Sequence, residues 1–149
     1  MSMFGGIDAS ASGLTAERLR MDVISNNIAN VNTTRSDDGR AYRRRYVVFE
    51  PREPKGQDFE SFLRRGIMNP KKPEAGDGVR AVRIESDNTQ GPLVYDPGHP
   101  DANADGYVER PNVNIVTEMV DMITASRAYE ANVTSINAAK SMAMKALEI

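Results

Sequence analysis

Pro111-Asn-Val-Asn-Ile-Val-Thr-Glu-Met-Val-Asp-Met-Ile-Thr-Ala-Ser-Arg-Ala-Tyr-Glu-Ala-Asn132 runs on through Val133-Thr-Ser-Ile-Asn-Ala-Ala-Lys-Ser-Met-Ala-Met-Lys-Ala-Leu-Glu-Ile149, and the 38 residues after Pro111 hold neither Gly nor Pro. Those two residues are the strongest interrupters of a helix, so the segment predicts one long helix from about Val113 to Glu148. Pro111 supplies the stop before it. Asn112 and Asn114 are candidate caps, and Glu118 lies in the first turn, where the helix dipole favours a carboxylate. At ~1.5 Å per residue such a helix is on the order of 54 Å long, against ~11–12 residues for an average globular helix. Ile115, Met122, Tyr129, Ile136 and Ala143 recur every seven residues. Met119, Val133 and Leu147 fall four residues after members of that row, with Ser126 and Lys140 interrupting, which reads as a heptad seam. Val116, Val120, Ile123, Ala125 and Met142 widen the apolar band beyond what one partner helix covers. A helix this long and this apolar points to assembly.

A second stretch without breakers, Leu14 to Asp38, lies toward the other end. Ile7, Leu14, Met21 and Ile28 are seven apart, and Ile24 and Val31 fall three residues after members of that row. Ser10 and Glu17 weaken its first half. All eight prolines and eight of the eleven glycines lie from Gly39 to Pro111, which divides the chain into helix, broken middle and helix. The expected fold class is therefore α+β: long N- and C-terminal helices pair as a coiled-coil-like layer, with a small β-rich domain inserted between them. The expected boundaries are 1–34 for an N-terminal assembly helix, 35–111 for the middle domain with its loops, and 112–149 for a C-terminal assembly helix. Within the middle, Tyr42–Glu50, Val79–Glu85, Leu93–Tyr95 and Tyr107–Val108 have strand composition. Asp58–Arg65 reads as a short helix and Asn69–Gly78 as a loop.

Composition removes most chemistry. The 149-residue chain has no Cys, which excludes a disulfide scaffold, thiol catalysis and thiolate metal sites. The single histidine, His99, leaves little material for a metal cluster or a proton relay. There is no G-x-S-x-G, no glycine-rich phosphate loop and no metal-spaced histidine pair. No enzyme activity, cofactor or metal is expected. No apolar run approaches the ~18 residues of a membrane span, so direct membrane insertion is not expected. Met1-Ser-Met-Phe-Gly-Gly has neither a basic start nor a following apolar run, so no cleaved secretory signal is expected.

Two motifs still resemble sites. Asp101-Ala-Asn103-Ala-Asp105-Gly106 matches the first half of a calcium loop, with oxygen ligands at alternate positions. The twelfth position is Asn112, which cannot supply a bidentate carboxylate, and Pro97, Pro100 and Pro111 break the flanks. A turn whose Asp and Asn side chains cap their own backbone fits better. Arg43-Arg44-Arg45 between Tyr42 and Tyr46 offers the cations and stacking faces of a single-strand nucleic-acid surface. Residues 35–85 carry +13 and −9, but the whole chain has a net charge of −2. An arginine row meeting acidic neighbours is the simpler expectation.

Ser25-Asn26-Asn27-Ile28-Ala29-Asn30-Val31-Asn32-Thr33 concentrates four asparagines at the end of the first seam. Such amides either serve turns at a fraying helix end or bond to packed neighbours and fix register, as buried Asn does in coiled coils. Composition leaves both open. This segment resembles the N-terminal signature of the bacterial flagellar rod and hook axial proteins, and Pro111–Asn132 resembles their C-terminal signature. Leu93-Val-Tyr-Asp-Pro97, Asp101–Val108 and the short length point within that family to a proximal rod subunit. Thr34-Arg-Ser-Asp-Asp-Gly-Arg-Ala-Tyr42 departs from the family by stretching the spacing from Asn-Thr to the next Gly-Tyr.

The resemblance implies a structural subunit of the basal body, exported by the flagellar type III apparatus without a cleaved signal. Its terminal helices would pack with other copies, with other rod proteins and with the membrane-ring/rod junction proteins. Together they would form a hollow, torque-transmitting shaft around the export channel, outside the cytoplasmic membrane. The assembly interface expected on this basis takes Ile7, Leu14, Met21, Ile24, Asn26, Asn27, Ile28, Asn30 and Val31 from the first helix. From the second it takes Met119, Met122, Ile123, Tyr129, Asn132, Val133, Ile136 and Leu147. The alternative is a coiled-coil interaction protein with a basic, nucleic-acid-binding middle domain.

Overall fold

A computed structural model describes residues 3–36, 38–52 and 78–148. In chain order these form α1 (Met3–Ala29), β1 (Arg45–Pro51), β2 (Val79–Ser86), β3 (Leu93–Tyr95), β4 (Tyr107–Glu109) and α2 (Ile115–Leu147). The architecture is α+β, as the distribution of Gly and Pro predicts. The short helix expected over Asp58–Arg65 and the loop over 69–77 lie outside the described residues.

α2 begins where Asn114, in extended conformation, accepts hydrogen bonds from the backbone N–H groups of Val116 and Thr117. These bonds, 2.9 and 3.3 Å long, satisfy two of the donors that every helix start leaves open. Its 33 residues give a rod about 50 Å long. α1 runs through Gly5, Gly6 and Gly13 without a break. The helices lie antiparallel, since Ser10 meets Ser135, Arg20 meets Asp121 and Asn27 meets Glu118. Gly13 allows the close approach, because a Cβ there would sit 2.8 Å from Asn132 Nδ2.

α1 is the middle layer. Its other flank carries the sheet of β1 and β2, pinned where Ser12 Oγ accepts from Val79 N–H at 3.0 Å and donates to the Ala9 carbonyl at 2.7 Å. Ala16, Val23 and Ile24, buried along this helix, join Ala41, Tyr42, Val108 and Ala125 in the small apolar core of the described residues. β1 and β2 are antiparallel and slip by one residue after Val48, so that Val82 is bulged out. β1 starts at Arg45 and not at Tyr42 as the strand composition suggests. The reason is that the preceding backbone is taken up elsewhere: Tyr42 N–H bonds to the Thr33 carbonyl at 3.1 Å and Arg44 N–H to Asn112 Oδ1 at 2.7 Å.

β3 and β4 make a separate antiparallel pair with Leu93 opposite Glu109, Val94 opposite Val108 and Tyr95 opposite Tyr107. Val108 is buried, while Leu93, Tyr95 and Tyr107 lie exposed on the other face. Gly106 turns the chain back with φ +79°, a conformation that favours glycine. Gly91 lies where a Cβ would fall 1.7 Å from the Arg110 carbonyl oxygen, inside the backbone itself. Gly91→Ala is expected to lower stability by about 1–3 kcal/mol, read as a fall in Tm. Gly98→Ala, whose added methyl would meet only Asp96 at 3.6 Å, is expected to stay within about 0.5 kcal/mol.

Candidate assembly surface

The surface left for partners is set by what the two helices do to each other. At their junction Asn27 and Glu118 are both fully buried, with 0% exposure. Asn27 Nδ2 donates to Glu118 Oε2 at 2.9 Å and to the Arg45 carbonyl at 2.8 Å. Asn27 Oδ1 accepts from Tyr42 OH at 2.9 Å and from Arg45 N–H at 3.0 Å. The amide is thus fully engaged, with both donors and both lone pairs used. On the other side of the carboxylate, Arg44 Nε donates to Glu118 Oε1 at 2.6 Å and Arg44 Nη2 to Asp121 Oδ2 at 3.2 Å. Asn112 completes the joint, its Nδ2 reaching the Asp87 carbonyl at 3.2 Å. Both helices and the entry to the first sheet meet at this cluster.

Burial raises the pKa of the Tyr42 hydroxyl; the Arg45 cation opposes that rise, and the Glu118 carboxylate adds to it. Tyr42 therefore stays a donor to Asn27 well into the alkaline range.

The asparagine cluster divides between its two possible roles. Asn26 and Asn30 bond to each other, Asn30 Nδ2 reaching the Asn26 carbonyl at 2.9 Å and its Oδ1 at 2.8 Å. They serve the helix end, while Asn27 fixes register. No feature of the sequence separates Asn27 from its neighbours; only its place on the inner face does.

Glu118 is the residue that the periodicity misses. Read as a dipole partner in a first turn, it is instead a buried charge that anchors both helices. The inner face of α2 takes Glu118, Met122, Ala125, Tyr129, Asn132, Ile136, Ala139 and Ala143, alternating three and four residues apart and all buried or half-buried. The row every seven residues from Met122 is as expected, but its companion row falls three residues after Ile115, not four. Glu118, Ala125, Asn132 and Ala139 are polar or small, so a search for large apolar residues favours Met119, Val133 and Leu147. Met119 and Leu147 are exposed. On α1, Ile24 and Asn27 are buried within the chain, Ile7, Leu14, Met21 and Ile28 are half-buried and Asn26 is exposed, while Asn30 and Val31, in the turn after the helix, are half-buried.

The opposite face of α2 is apolar and open. Val116, Met119, Val120 and Ile123 lie on it at 71%, 56%, 58% and 54% exposure, with Ile115 at its edge. Three and four residue steps put these side chains in one stripe on the side away from α1. Met142, Met144 and Leu147 expose further apolar surface at the far end. Single exposed apolar residues are ordinary, whereas a contiguous stripe marks a contact. No helix among the described residues is long and apolar enough to cross a membrane.

The two site-like motifs are absorbed by the chain. Asn103 Oδ1 accepts from the N–H groups of Asp105 and Tyr107 at 3.0 and 2.8 Å, and Asp101 Oδ2 accepts from Thr34 at 2.8 Å. Those oxygens build a turn and tie it to the end of α1. In the arginine row, Arg43 pairs with Glu109 at 2.8 Å and Arg44 with Glu118 and Asp121. Two of the three guanidiniums are neutralised internally, so the nucleic-acid alternative has no support.

Residues 7–35 match the family model described as flagella basal body rod protein, and residues 104–149 match the one described as flagellar basal body rod FlgEFG protein C-terminal. The chain is 52% identical to the flagellar basal-body rod protein FlgC of Borreliella burgdorferi, over all of this chain and 98% of that one. It is 47% identical to the FlgC of Bacillus subtilis, over all of this chain and 99% of that one. With the FlgC of Escherichia coli O6:H1 it shares 36% identity, over all of this chain and 98% of that one.

Removing Asn27 strands several buried partners at once. Asn27→Ala is expected to cost at least about 3 kcal/mol in denaturant unfolding, against less than about 0.5 for exposed Asn26→Ala. Combined with Glu118→Ala, the loss should fall short of the two single losses added together by about 1–3 kcal/mol, because the two side chains share one contact. Tyr42 gives a pH signature. Its folded pKa lies above the unfolded one, so its contribution is complete below about pH 10 and is lost as pH rises through the folded value. Unfolding measured across that window should show a shallower alkaline decline for Tyr42→Phe than for the parent.

Proposed function

Since the chain belongs to the FlgC family of flagellar basal-body rod proteins, and is a structural subunit of that rod, we propose that the outward apolar face of α2 is the surface by which it is built into the shaft. Its place is the flagellar basal body. The subunit sits in the proximal rod, where its terminal helices pack with those of other copies and other rod proteins around the export channel. In that position it carries torque from the membrane ring and its junction proteins toward the distal rod and hook. The flagellar type III apparatus exports it, and its role is mechanical and not catalytic.

The observation that carries this reading is the inversion of the helix pair. On the inner face of α2 the polar and small residues Glu118, Ala125, Asn132 and Ala139 take turns with Met122, Tyr129 and Ile136, while Val116, Met119, Val120 and Ile123 face out. Burying such a side chain from full exposure gains ~1.5–3 kcal/mol, and since somewhat over half of each is still exposed, the four supply roughly 4–7 kcal/mol per face before the cost of association. The torque-bearing role is supported by the same helix pair, whose junction is locked by hydrogen bonds and ion pairs and not by apolar contact alone.

Ile123→Glu tests the surface. The residue is exposed in the isolated chain, so monomer stability should change by less than about 0.5 kcal/mol. Basal bodies from cells carrying the variant should lack the protein, and the cells should not swim. Normal swimming would show that this face is not buried in the rod.

A further inference from the structure

Arg40 and Arg45 line a cleft of about 630 Å³ together with Asp38, Tyr42, Ser86 and Asn88, and among the described residues Asp38 forms no ion pair with either arginine. The Arg45 guanidinium lies 5.7 Å from the centroid of the Tyr42 ring. Arg43, in the same wall, is already held by Glu109 and the Thr89 carbonyl. Among the described residues neither Arg40 nor Arg45 has a carboxylate or carbonyl partner for its guanidinium. Two open guanidiniums in a concave wall fit a partner that presents carboxylates and aromatic faces, since arginine pairs with the first and stacks on the second.

The far end of β3 and β4 presents both. Asp96 and Asp105 flank Tyr95 and Tyr107, whose rings meet edge to face with centroids 5.2 Å apart. Both tyrosines and both aspartates are exposed, and neither carboxylate bonds to a described neighbour. The loop between the strands is not free to wander, because Asp101 is tied to Thr34 at 2.8 Å and to Arg35 at 3.6 Å. The hairpin is therefore a preformed arm, which lowers the ordering cost of a contact.

We infer that the arginine cleft of one copy receives the Tyr95–Asp105 end of the β3–β4 hairpin of a neighbouring copy. Charge supports the match: residues 35–85 hold the positive excess and residues 86–149 carry +4 against −9. Tyrosine and arginine are also the residues that dominate the centres of protein interfaces. The two surfaces are different patches, so the contact is head-to-tail. A contact of that kind does not close as a two-fold dimer and propagates into an open helix when its rotation does not close. The inference rests on the rod-subunit reading and adds to it a defined lateral contact outside the terminal helices.

The chain has no cysteine of its own, which makes the test direct. The full chain carrying both Arg40→Cys and Asp105→Cys replaces the parent in flagellated cells, and isolated basal bodies are oxidised. A ladder of disulfide-linked oligomers from the double variant, with none from either single variant, is the expected result. Dimers from one single variant would indicate a two-fold contact. A monomer band alone, in basal bodies that contain the protein, would mean that another neighbour fills the cleft. Either outcome overturns the inference and leaves the rod reading standing. Absence of the parent chain from basal bodies would overturn the rod reading and the contact with it. Charge reversal guards against a misplaced cysteine. Arg40→Glu and Asp105→Arg should each reduce incorporation by about tenfold, and their combination in one chain should recover most of it. Failure of the combination to recover would overturn the contact.

Discussion

The buried bond from Asn27 to Glu118 sets how the two helices and the entry to the first sheet meet, and the rest of the chain is hung on that frame. A carboxylate without solvent is tolerated only when its oxygens are paired, and here one oxygen takes the Asn27 amide and the other the Arg44 guanidinium. Asn27 belongs to α1, Glu118 to α2 and Arg44 to the segment entering β1. Three parts of the chain, far apart in sequence, are therefore satisfied together or not at all. Breaking one bond strands the others, which makes the joint a register device more than a source of net stability.

That joint explains why so little apolar surface lies between the helices. With direction and register set by Asn27, Glu118, Arg44 and Asp121, the inner face of α2 can be filled by Ala125, Ala139 and the half-buried Met122, Tyr129 and Ile136. Small side chains bring the helices close, and Gly13 lies directly against Asn132. Large apolar residues then remain for the outside. A monomer that used Val116, Val120 and Ile123 to hold itself together would have none left for its neighbours in a shaft.

The middle segment has a different logic. Among the described residues its two sheets are each of two strands, too few to form a core by themselves. Each borrows its support. β1 and β2 lean on α1 through Ser12 and Val79, and the β3–β4 hairpin is tied back by Arg43 to Glu109 and by Thr34 to Asp101. Side chains that resembled a calcium loop and a nucleic-acid surface are the ties of these two hairpins. Glu109 at the base of the β3–β4 arm and Asp101 in its loop hold it, and the exposed Tyr95 and Tyr107 are left to make contacts.

The length of both helices, their separation by a broken middle and the excess of apolar surface on α2 could be read from the residues alone. Gly and Pro act locally, and a seven-residue repeat declares a helix face wherever the helix lies. The strands at Leu93–Tyr95 and Tyr107 were legible for the same reason, being short alternating runs between turn residues. Which face of α2 turns inward was not legible. Hydrophobicity favoured Met119 and Leu147, which the fold leaves exposed, and Val133, which it half-buries, whereas Glu118, Ala125, Asn132 and Ala139 also turn inward. The choice depends on Arg44 and Asn27 arriving from 74 and 91 residues away, and a periodicity has no access to a partner at that distance. Among the four asparagines, likewise, only the fold picks out Asn27, because a buried amide differs from an exposed one in its surroundings and not in its neighbours along the chain.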